Sequence, residues 1–238
     1  MENDLGGPLD FKYYDSRKNK TMDILTGYRL WSLSYDDKSP IIDLDLLNNS
    51  GTIQKQVKDQ SIIDLGCGTG RIGRYLKGLC PKFLAGLDVS PEMLKKAEEK
   101  GVYDLLIQSD LEKMKPIVRS YYGVISSLVL CHIKSSEKIF HSISDMLTQN
   151  GWFGLIDYHP YFLLQGIPTH FKSENQEDIA IVNYVHSFSS IFDQANSAGL
   201  KLVEFKERFV TDKMIGQSPS YIKFKGQPIS YLMVFRKI

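Results

Sequence analysis

An acidic residue followed by alternating glycines marks the part of the chain best suited to bind a ligand. Asp64 ends a short apolar run, and Gly66, Gly68 and Gly70 follow it at every second position. Glycine accepts positive φ angles, and without a Cβ it lets a ligand approach the backbone closely. We therefore predict a buried strand that breaks into a tight loop, with a ligand lying against that loop.

Two classes of ligand fit such a loop. Residues 68–73 match the GxGxxG fingerprint of dinucleotide-binding proteins, and Asp88 lies roughly where their ribose-binding acid stands. In that fold the first glycine comes directly after the strand, whereas Gly66 and Cys67 intervene here. The Asp64 carboxylate would also repel a pyrophosphate and favour an ammonium or a sulfonium. The sequence thus favours a cationic ligand, and an NAD-binding Rossmann oxidoreductase remains a distant alternative.

Polar residues also follow the ends of three later predicted strands. Asp88, Asp110 and Ser127 each stand close after an apolar segment. The carboxyl ends of parallel strands meet at one edge of a sheet, where α/β proteins bind their ligands. We expect these three side chains and the glycine loop to line one crevice.

Strand and helix alternate around these residues. Strands are predicted at 61–65, 83–87, 103–107, within 122–130 and at 152–157. This rhythm predicts a doubly wound, Rossmann-like α/β fold with helices on both faces of the sheet. Two further strands, at 200–210 and 229–235, have no clear helix between them and should form an antiparallel hairpin at one edge. The predicted sheet therefore has seven strands, mostly parallel, with an antiparallel C-terminal strand.

We predict a single domain over residues 1–238 with three parts. Residues 1–58 form a helical N-terminal cap, in which apolar and aromatic residues recur at helical spacing. Residues 59–157 form the half that binds the cationic ligand. Residues 158–238 form a substrate-side half, which begins with an aromatic-rich insertion at 158–187 that contains a hairpin.

Composition argues against several classes of protein. The 238 residues carry a formal net charge of +1, so no global field attracts nucleic acid or an anionic membrane. No apolar run approaches the ~20 residues that span a bilayer, and the first residues lack the pattern of a signal peptide. Cys67, Cys80 and Cys131 form no CxxC pair, which indicates neither a disulfide framework nor a zinc site. We expect a cytoplasmic monomer or homodimer without a metal, and without a nucleic-acid or membrane partner.

Several segments carry a resemblance to a known family. Residues 64–70 closely resemble the first motif of class I S-adenosylmethionine (SAM)-dependent methyltransferases of the small-molecule, methyltransferase-domain type. Residues 86–94 look like the second motif of that family, residues 109–111 resemble the third, and residues 126–133 resemble the segment after the fourth strand. The resemblance is strongest over residues 61–157, and it implies SAM as the cofactor.

The resemblance also implies which residues contact that cofactor. Asp88 would accept hydrogen bonds from the ribose hydroxyls, Asp110 would accept from the adenine amino group, and Asp64 would lie near the ammonium. The full set implied by the resemblance is Tyr28, Trp31, Asp64, Gly66, Cys67, Gly68, Thr69, Gly70, Asp88, Val89, Met93, Ser109, Asp110, Leu111 and Ser127. Two alternatives stay open, since Asp88 and Asp110 also fit helix-start or turn acids, and the apolar and aromatic members also fit core positions.

Three histidines are candidates for a general base. Methyl transfer from a sulfonium is an in-line displacement, so the protein mainly holds the reacting groups in line. A base is needed only when the nucleophile carries a proton. His132 and His159 follow predicted strand ends and His170 lies in the insertion, and each also fits a structural histidine.

The acceptor is expected to bind beside the insertion, because loops at this edge of the sheet carry specificity. The predicted lining of the acceptor pocket is Tyr158, Tyr161, Phe162, Phe171, Tyr184 and His186. The alternative is that these side chains pack beneath a long loop.

The expected activity is transfer of a methyl group from SAM to an O or N nucleophile of a small organic molecule. Neither an Asn/Asp-Pro-Pro-aromatic run nor a Pro-Cys pair follows the fourth strand, which argues against adenine-amino and cytosine-C5 methylation. The alternatives are a methyltransferase that acts on a protein or an RNA, and a SAM-binding protein without catalysis.

Overall fold

The computed structural model describes residues 8–38, 42–114, 120–173 and 175–238. The strands in these residues are β1 (Leu9–Asp10), β2 (Lys20–Met22), β3 (Ser61–Leu65), β4 (Phe83–Asp88), β5 (Leu105–Gln108), β6 (Tyr121–Ser127), β7 (Leu147–Tyr158), β8 (His170–Lys172), β9 (Asp178–Ile181), β10 (Tyr184–Val185), β11 (Leu200–Phe209) and β12 (Pro228–Lys237). The helices are α1 (Ile24–Trp31), α2 (Tyr35–Lys38), α3 (Leu44–Asn48), α4 (Gly51–Gln56), α5 (Arg71–Lys77), α6 (Pro91–Lys100), α7 (Glu137–Met146), α8 (Pro160–Leu163), α9 (Phe188–Ser197) and α10 (Asp212–Gln217). Short 3-10 turns lie at Phe11–Tyr13, Leu111–Lys113, Leu130–His132 and Pro219–Phe224. None of these described helices is long and apolar enough to cross a bilayer.

Seven strands form the central sheet, in the order β11-β12-β7-β6-β3-β4-β5. The pairs among β3 to β7 are parallel, and β12 runs antiparallel to both β7 and β11. The predicted doubly wound sheet with an antiparallel C-terminal strand is confirmed. The C-terminal hairpin lies at one edge, with β11 on the outside and β12 within the sheet. The direction of winding reverses between β3 and β6, which is where such sheets open a ligand crevice.

Two hydrophobic clusters cover the two faces of the sheet. Ile63 and Leu65 of β3 belong to the cluster that packs against α7 and α9. Ile62 belongs to the cluster that packs against α4 and α5. Successive residues of a strand face opposite sides of the sheet, so a strand covered by helices on both sides reads as a continuous apolar run. This is why the apolar residues before the glycine loop predict the central strand correctly.

The N-terminal cap and the insertion are built together. The cap carries α1 to α4, as its helical spacing predicts, and it also contributes β2, which pairs in parallel with β9. The predicted hairpin of the insertion forms between β8 and β9, and β1 pairs with β10. A strand of three residues has no readable periodicity, so the sequence does not reveal the pairing of β2. The small sheet of β2, β9 and β8 holds α1 over the carboxyl edge of the main sheet.

Gly123 in β6 offers a direct test of core packing. A Cβ at this position would lie 2.4 Å from the ring of Trp152, which is fully buried. We expect Gly123→Ala to lower the free energy of unfolding by about 1–3 kcal/mol, because overpacking forces neighbouring side chains off their rotamers. Gly216→Ala is the matched control, since a Cβ at Gly216 meets nothing within 4 Å. Urea unfolding of both variants measures the difference, and an equal stability for the two would contradict this account of the core.

Candidate functional site

The glycine loop lies between β3 and α5 and is fixed by the end of β4. The amide of Gly66 donates to Leu87 O at 2.7 Å, and the amide of Gly68 donates to Asp88 Oδ2 at 2.8 Å. Gly66, Gly68 and Gly70 have φ angles of +72°, +53° and +84°, in the left-handed region that favours glycine. The loop conformation therefore depends on its glycines and on the Asp88 carboxylate.

Two of the glycines also have distinct steric roles. A Cβ at Gly66 would lie 2.2 Å from Val129 Cγ2, so no side chain fits between the loop and the segment after β6. A Cβ at Gly68 would meet nothing within 4 Å, because it would project into open space. The first glycine closes the loop against the protein, and the second keeps the backbone open to a ligand.

A cavity of about 290 Å³, the first cavity, opens beside the loop. It lies at the carboxyl ends of β3 to β6, and residues of α1 form the opposite wall. The structure brings nine of the predicted cofactor-contacting residues to this cavity: Tyr28, Gly66, Gly68, Asp88, Val89, Met93, Asp110, Leu111 and Ser127.

The charges that line the first cavity are of one sign. Asp23, Asp88, Asp110 and Glu112 bring four carboxyl groups to it, and neither lysine nor arginine is among its described lining residues. Such a lining favours a ligand with positive charge and disfavours a pyrophosphate. The inference drawn from Asp64 in the sequence therefore holds for the cavity as a whole, although other acids supply the charge.

Asp88 is the acid that links the loop to the cavity. Its Oδ1 accepts from the Ser90 amide at 2.9 Å, and its Oδ2 accepts from the Gly68 amide. Burial raises the pKa of this carboxyl, and the two backbone amides oppose the shift. A carboxylate oxygen accepts more than one hydrogen bond, so both oxygens retain capacity for a ligand hydroxyl.

The described geometry agrees with what comparison with known proteins finds. Residues 63–155 match the family model of the methyltransferase domain. A biotin biosynthesis bifunctional protein of Teredinibacter turnerae is 28% identical over 159 residues, a match that covers 62% of this chain and only 27% of that protein. An uncharacterized methyltransferase of Emericella nidulans is 25% identical over 259 aligned positions, covering 90% of this chain and 88% of the relative.

The fold is shared with SAM-dependent methyltransferases of known structure. A SAM-dependent methyltransferase from Mesorhizobium loti, known from a crystal structure, has a TM-score of 0.64 to this chain at 20% identity, covering 80% of this chain and 99% of that one. Residues 63–155 therefore carry a methyltransferase domain, and the chain shares the fold of SAM-dependent methyltransferases. The family and the SAM cofactor predicted from the sequence are thereby confirmed.

The other predicted cofactor residues of the methyltransferase do not line the first cavity; they are Trp31, Asp64, Cys67, Thr69, Gly70 and Ser109. Cys67 and Thr69 alternate along the loop with Gly66 and Gly68, which line the cavity, and their side chains make contacts elsewhere. The Thr69 hydroxyl donates to Asp36 Oδ1 at 2.7 Å. Cys67 is buried against β4, where a Cβ at Gly86 would lie 2.9 Å from its Sγ.

Asp64 faces Tyr103 rather than the first cavity. The Tyr103 hydroxyl donates to Asp64 Oδ2 at 2.7 Å, and Asp64 Oδ1 is buried without a hydrogen-bond partner among the described residues. Burial raises the pKa of this carboxyl to about 7, although the Tyr103 hydrogen bond opposes the shift. The structure therefore gives no direct contact between Asp64 and a ligand in the first cavity.

Asp110 is a turn acid that also lines the first cavity. Its Oδ1 accepts from the Glu112 amide at 2.9 Å, which caps a 3-10 turn, and its Oδ2 lies 3.0 Å from Lys113 Nζ. The same carboxylate lines the first cavity. The cap fixes the side chain, so the carboxylate faces the cavity in one orientation.

His132 is the predicted catalytic candidate that lines the first cavity, and it is paired with Tyr28. His132 Nδ1 lies 2.7 Å from Val182 O, and because a carbonyl only accepts, Nδ1 carries the proton. Nε2 therefore presents its lone pair, which accepts from the Tyr28 hydroxyl at 2.8 Å. Burial lowers the pKa of His132 to about 4, so the imidazole is neutral at ordinary pH.

The other predicted histidines lie away from the first cavity. His159 Nδ1 accepts from the Tyr161 amide at 3.1 Å, and its Nε2 lies 2.9 Å from Glu207, so it caps α8. His186 Nε2 donates to Ile133 O at 2.8 Å in the protein interior. His170 lines a different cavity.

The second cavity measures about 270 Å³ and lies between the insertion, β7 and the C-terminal region. Of the six residues predicted for the acceptor pocket, Tyr158 and Phe162 line it. Phe171 stacks on Trp31 with ring centroids 5.4 Å apart, and Tyr161 is exposed on the surface. The remaining two, Tyr184 and His186, border a small space of about 10 Å³.

Sequence reasoning missed nine residues that line the first cavity: Asp23, Ile24, Leu25, Tyr35, Ser90, Glu112, Leu128, Val129 and Ile133. Some of them carried a signal, because Ile24 and Tyr35 share the helical spacing of Tyr28. Asp23 has an acid's usual place at a helix start, and its side chain accepts from the Thr26 amide at 3.0 Å. Leu128 adopts a φ of +59°, which costs a leucine roughly 1–2 kcal/mol, and no local pattern predicts that turn.

Asp64 should give the folded methyltransferase a distinctive pH dependence. Its pKa rises from 3.8 to about 7 on folding, so between these values the folded state binds more protons than the unfolded state. The contribution of the Asp64 carboxyl to the free energy of unfolding is fully present below pH 4, and it is lost as the pH rises through 7. We expect Asp64→Asn to gain stability relative to wild type by a few kcal/mol between pH 4 and 8, at ~1.4 kcal/mol per pKa unit.

Urea unfolding at pH 4, 6 and 8 measures this difference. Asp212→Asn is the control, because it removes a carboxylate from an exposed position instead of a buried one. A stability difference between Asp64→Asn and wild type that stays constant with pH would contradict the burial of a titrating carboxyl at this position.

Proposed function

We propose that this methyltransferase transfers a methyl group from SAM to an O or N nucleophile of a small organic molecule. The observation that carries the proposal is the first cavity, in which four carboxyl groups and the open glycine loop meet at the carboxyl edge of the sheet. SAM carries positive charge on its sulfonium and its ammonium, and this lining compensates it. When bound, SAM supplies an electrophilic methyl group.

The residues present fit SAM in most respects. We assign Asp88 to the ribose hydroxyls, because both of its oxygens retain hydrogen-bonding capacity beside the loop. Asp110 is assigned to the adenine amino group, with Val89, Met93 and Leu111 around the ring, since all of these line the same cavity. Asp64 is the exception, and the counter-charge for the ammonium would come from the carboxylates that line the cavity.

The Tyr28–His132 pair provides a route for a proton. The Tyr28 hydroxyl already donates to the neutral His132, so its oxygen is free to accept a hydrogen bond from the nucleophile of an acceptor. Burial raises the pKa of Tyr28 well above its usual value, so the phenol stays protonated at rest. As the nucleophile loses its proton to Tyr28, Tyr28 passes its own proton to His132 Nε2. This assignment selects His132 from the candidate bases.

A small acceptor fits the surroundings of the site better than a macromolecule. Residues of α1 close one side of the first cavity, and the insertion encloses a second cavity of limited volume nearby. The net charge of +1 offers no general attraction for RNA. The cytoplasmic setting also remains part of the proposal, supported by three free cysteines.

Asp88 provides the most direct test of the cofactor assignment. We expect Asp88→Asn to weaken SAM binding by at least about 100-fold, since it alters the ribose acceptor and the hydrogen bond to the loop. Calorimetry with SAM and with NADH, on wild type and variant, measures the effect. Asp212→Asn serves as the surface control, and circular dichroism reports whether the fold is retained. Unchanged SAM affinity in a folded Asp88→Asn protein, or micromolar NADH binding by wild type, would contradict the assignment.

The role of His132 is tested once a screen with labelled SAM has found an acceptor. His132→Asn should lower turnover by about 10²–10⁴-fold for an acceptor that must lose a proton, while SAM affinity stays nearly unchanged. In wild type the rate should fall with acid only near pH 4, where His132 becomes protonated, rather than near 6.5. His159→Asn is the matched control, because His159 lies outside both cavities. Equal losses in both variants would remove His132 from the proton route.

A further inference from the structure

The second cavity lies directly behind one wall of the first. Trp31 lines the second cavity, whereas Tyr28 and Tyr35 line the first. The Trp31 ring lies 5.8 Å from the Tyr28 ring and 4.8 Å from the Tyr35 ring, measured between centroids. An aromatic layer made of Trp31 together with Tyr28 and Tyr35 therefore lies between the two cavities.

Flat apolar surfaces form most of the second cavity. Its aromatic lining residues are Trp31, Tyr158, Phe162, Tyr221 and Phe224. Phe162 and Phe224 pack edge to face with centroids 5.1 Å apart, and Tyr158 stacks with Phe162 at 6.3 Å. Such walls suit a planar or compact apolar group of a small ligand.

The charges that line the second cavity are opposite in sign to those of the first. Arg17 and Lys223 both line it, and its described lining includes neither aspartate nor glutamate. Lys225, two residues after Lys223, is instead paired with Asp212 at 2.6 Å. No ion pair involves Arg17 or Lys223 among the described residues, so both cations are free to meet an anion at the cavity.

His170 orients Arg17 without neutralising it. His170 Nδ1 lies 2.8 Å from Pro168 O and must carry a proton, which leaves Nε2 as an acceptor. Arg17 Nη1 donates to this Nε2 at 2.7 Å. Burial is the main reason that the pKa of His170 is lowered, and the positive charge of Arg17 lowers it further. The guanidinium thus keeps its full charge and most of its donors for a ligand, and His170 acts as a positioning residue.

We propose that the second cavity binds the methyl acceptor, and that the acceptor is an organic anion with a carboxylate or phosphate at Arg17 and Lys223 and a compact apolar body against the aromatic walls. Its nucleophilic end then faces the aromatic layer, on whose far side the Tyr28 hydroxyl lines the first cavity. Methyl transfer then requires the rings of this layer to turn so that the two cavities join. This inference rests on the proposed methyltransferase function and deepens it by naming the acceptor class.

Binding of three probes tests the charge of the site. Phenyl phosphate, benzoate and neutral benzyl alcohol share a ring and differ in their polar group. We expect the two anions to bind at least tenfold more tightly than benzyl alcohol, and the relative affinity of the two shows whether a phosphate or a carboxylate is preferred. Binding at this cavity is followed by the change in tryptophan fluorescence. We assign the change to Trp31, because Trp152, the other tryptophan, is fully buried and does not line the cavity. Equal affinity for all three probes, or none for any, would overturn the proposal.

A double variant of Arg17 and Lys223 tests whether the anion binds at these two cations. Replacing Arg17 and Lys223 together by Gln should weaken phenyl phosphate binding at least tenfold, and both residues are exposed, so the fold should survive. Lys225→Gln is the matched control, since Lys225 is two residues away, does not line the cavity and should leave affinity within twofold. An equal effect of the control and the double variant would contradict the assignment.

A transfer assay separates the acceptor role from simple binding. Labelled SAM is incubated with hydroxybenzoates and aminobenzoates, which are acids, and with their neutral methyl esters. We expect turnover of the acids, at least tenfold slower in the Arg17 and Lys223 variant, and little turnover of the esters. Equal rates for acids and esters, or no turnover while phenyl phosphate still binds, would overturn the acceptor role. SAM calorimetry on the same protein distinguishes the outcomes, because only the absence of SAM binding counts against the methyltransferase function itself.

Discussion

The hydrogen bond from Gly68 to Asp88 is the contact on which the cofactor site depends. It joins the glycine loop after β3 to the end of β4, while a second amide donated to Asp88 comes from the start of α6. Each oxygen of the Asp88 carboxylate accepts one of these backbone amides, and each can accept a further hydrogen bond from a ligand. The same interaction therefore shapes the loop and orients the acid that faces the first cavity. Positive φ angles at the loop glycines allow the chain to reach this arrangement.

The two cavities have opposite charge, and this separation fits the chemistry of the family. Carboxylates line the first cavity, where a sulfonium donor would bind, and two cations line the second. Oppositely charged sites favour different ligands, which discourages each ligand from occupying the other site. Tyr28 of the aromatic layer between them is also the residue that is hydrogen-bonded to His132. The proposed cofactor site, proton route and acceptor site thus all include residues of α1, which packs against the small sheet of the cap and insertion.

The sequence predicts the fold and the cofactor edge because both follow from local patterns. Apolar runs that end in glycine or acid mark β3 and β4, and their carboxyl ends necessarily meet at one edge of a parallel sheet. Spacing does not show which side of a loop a residue faces, so Asp64 is packed against Tyr103 although its position suggested a ligand contact. Contacts between distant segments carry no local signal either. Arg17 and His170 are 153 residues apart in sequence, and only the paired strands of the cap and insertion bring them together.

The central proposal is that two neighbouring sites of opposite charge bind two different ligands. A crystal structure of the full chain grown with S-adenosylhomocysteine and phenyl phosphate tests this most directly. The account predicts the nucleoside in the first cavity with its ribose on Asp88, and the phosphate in the second cavity beside Arg17. A phosphate bound among the carboxylates of the first cavity, or a nucleoside in the second, would contradict it.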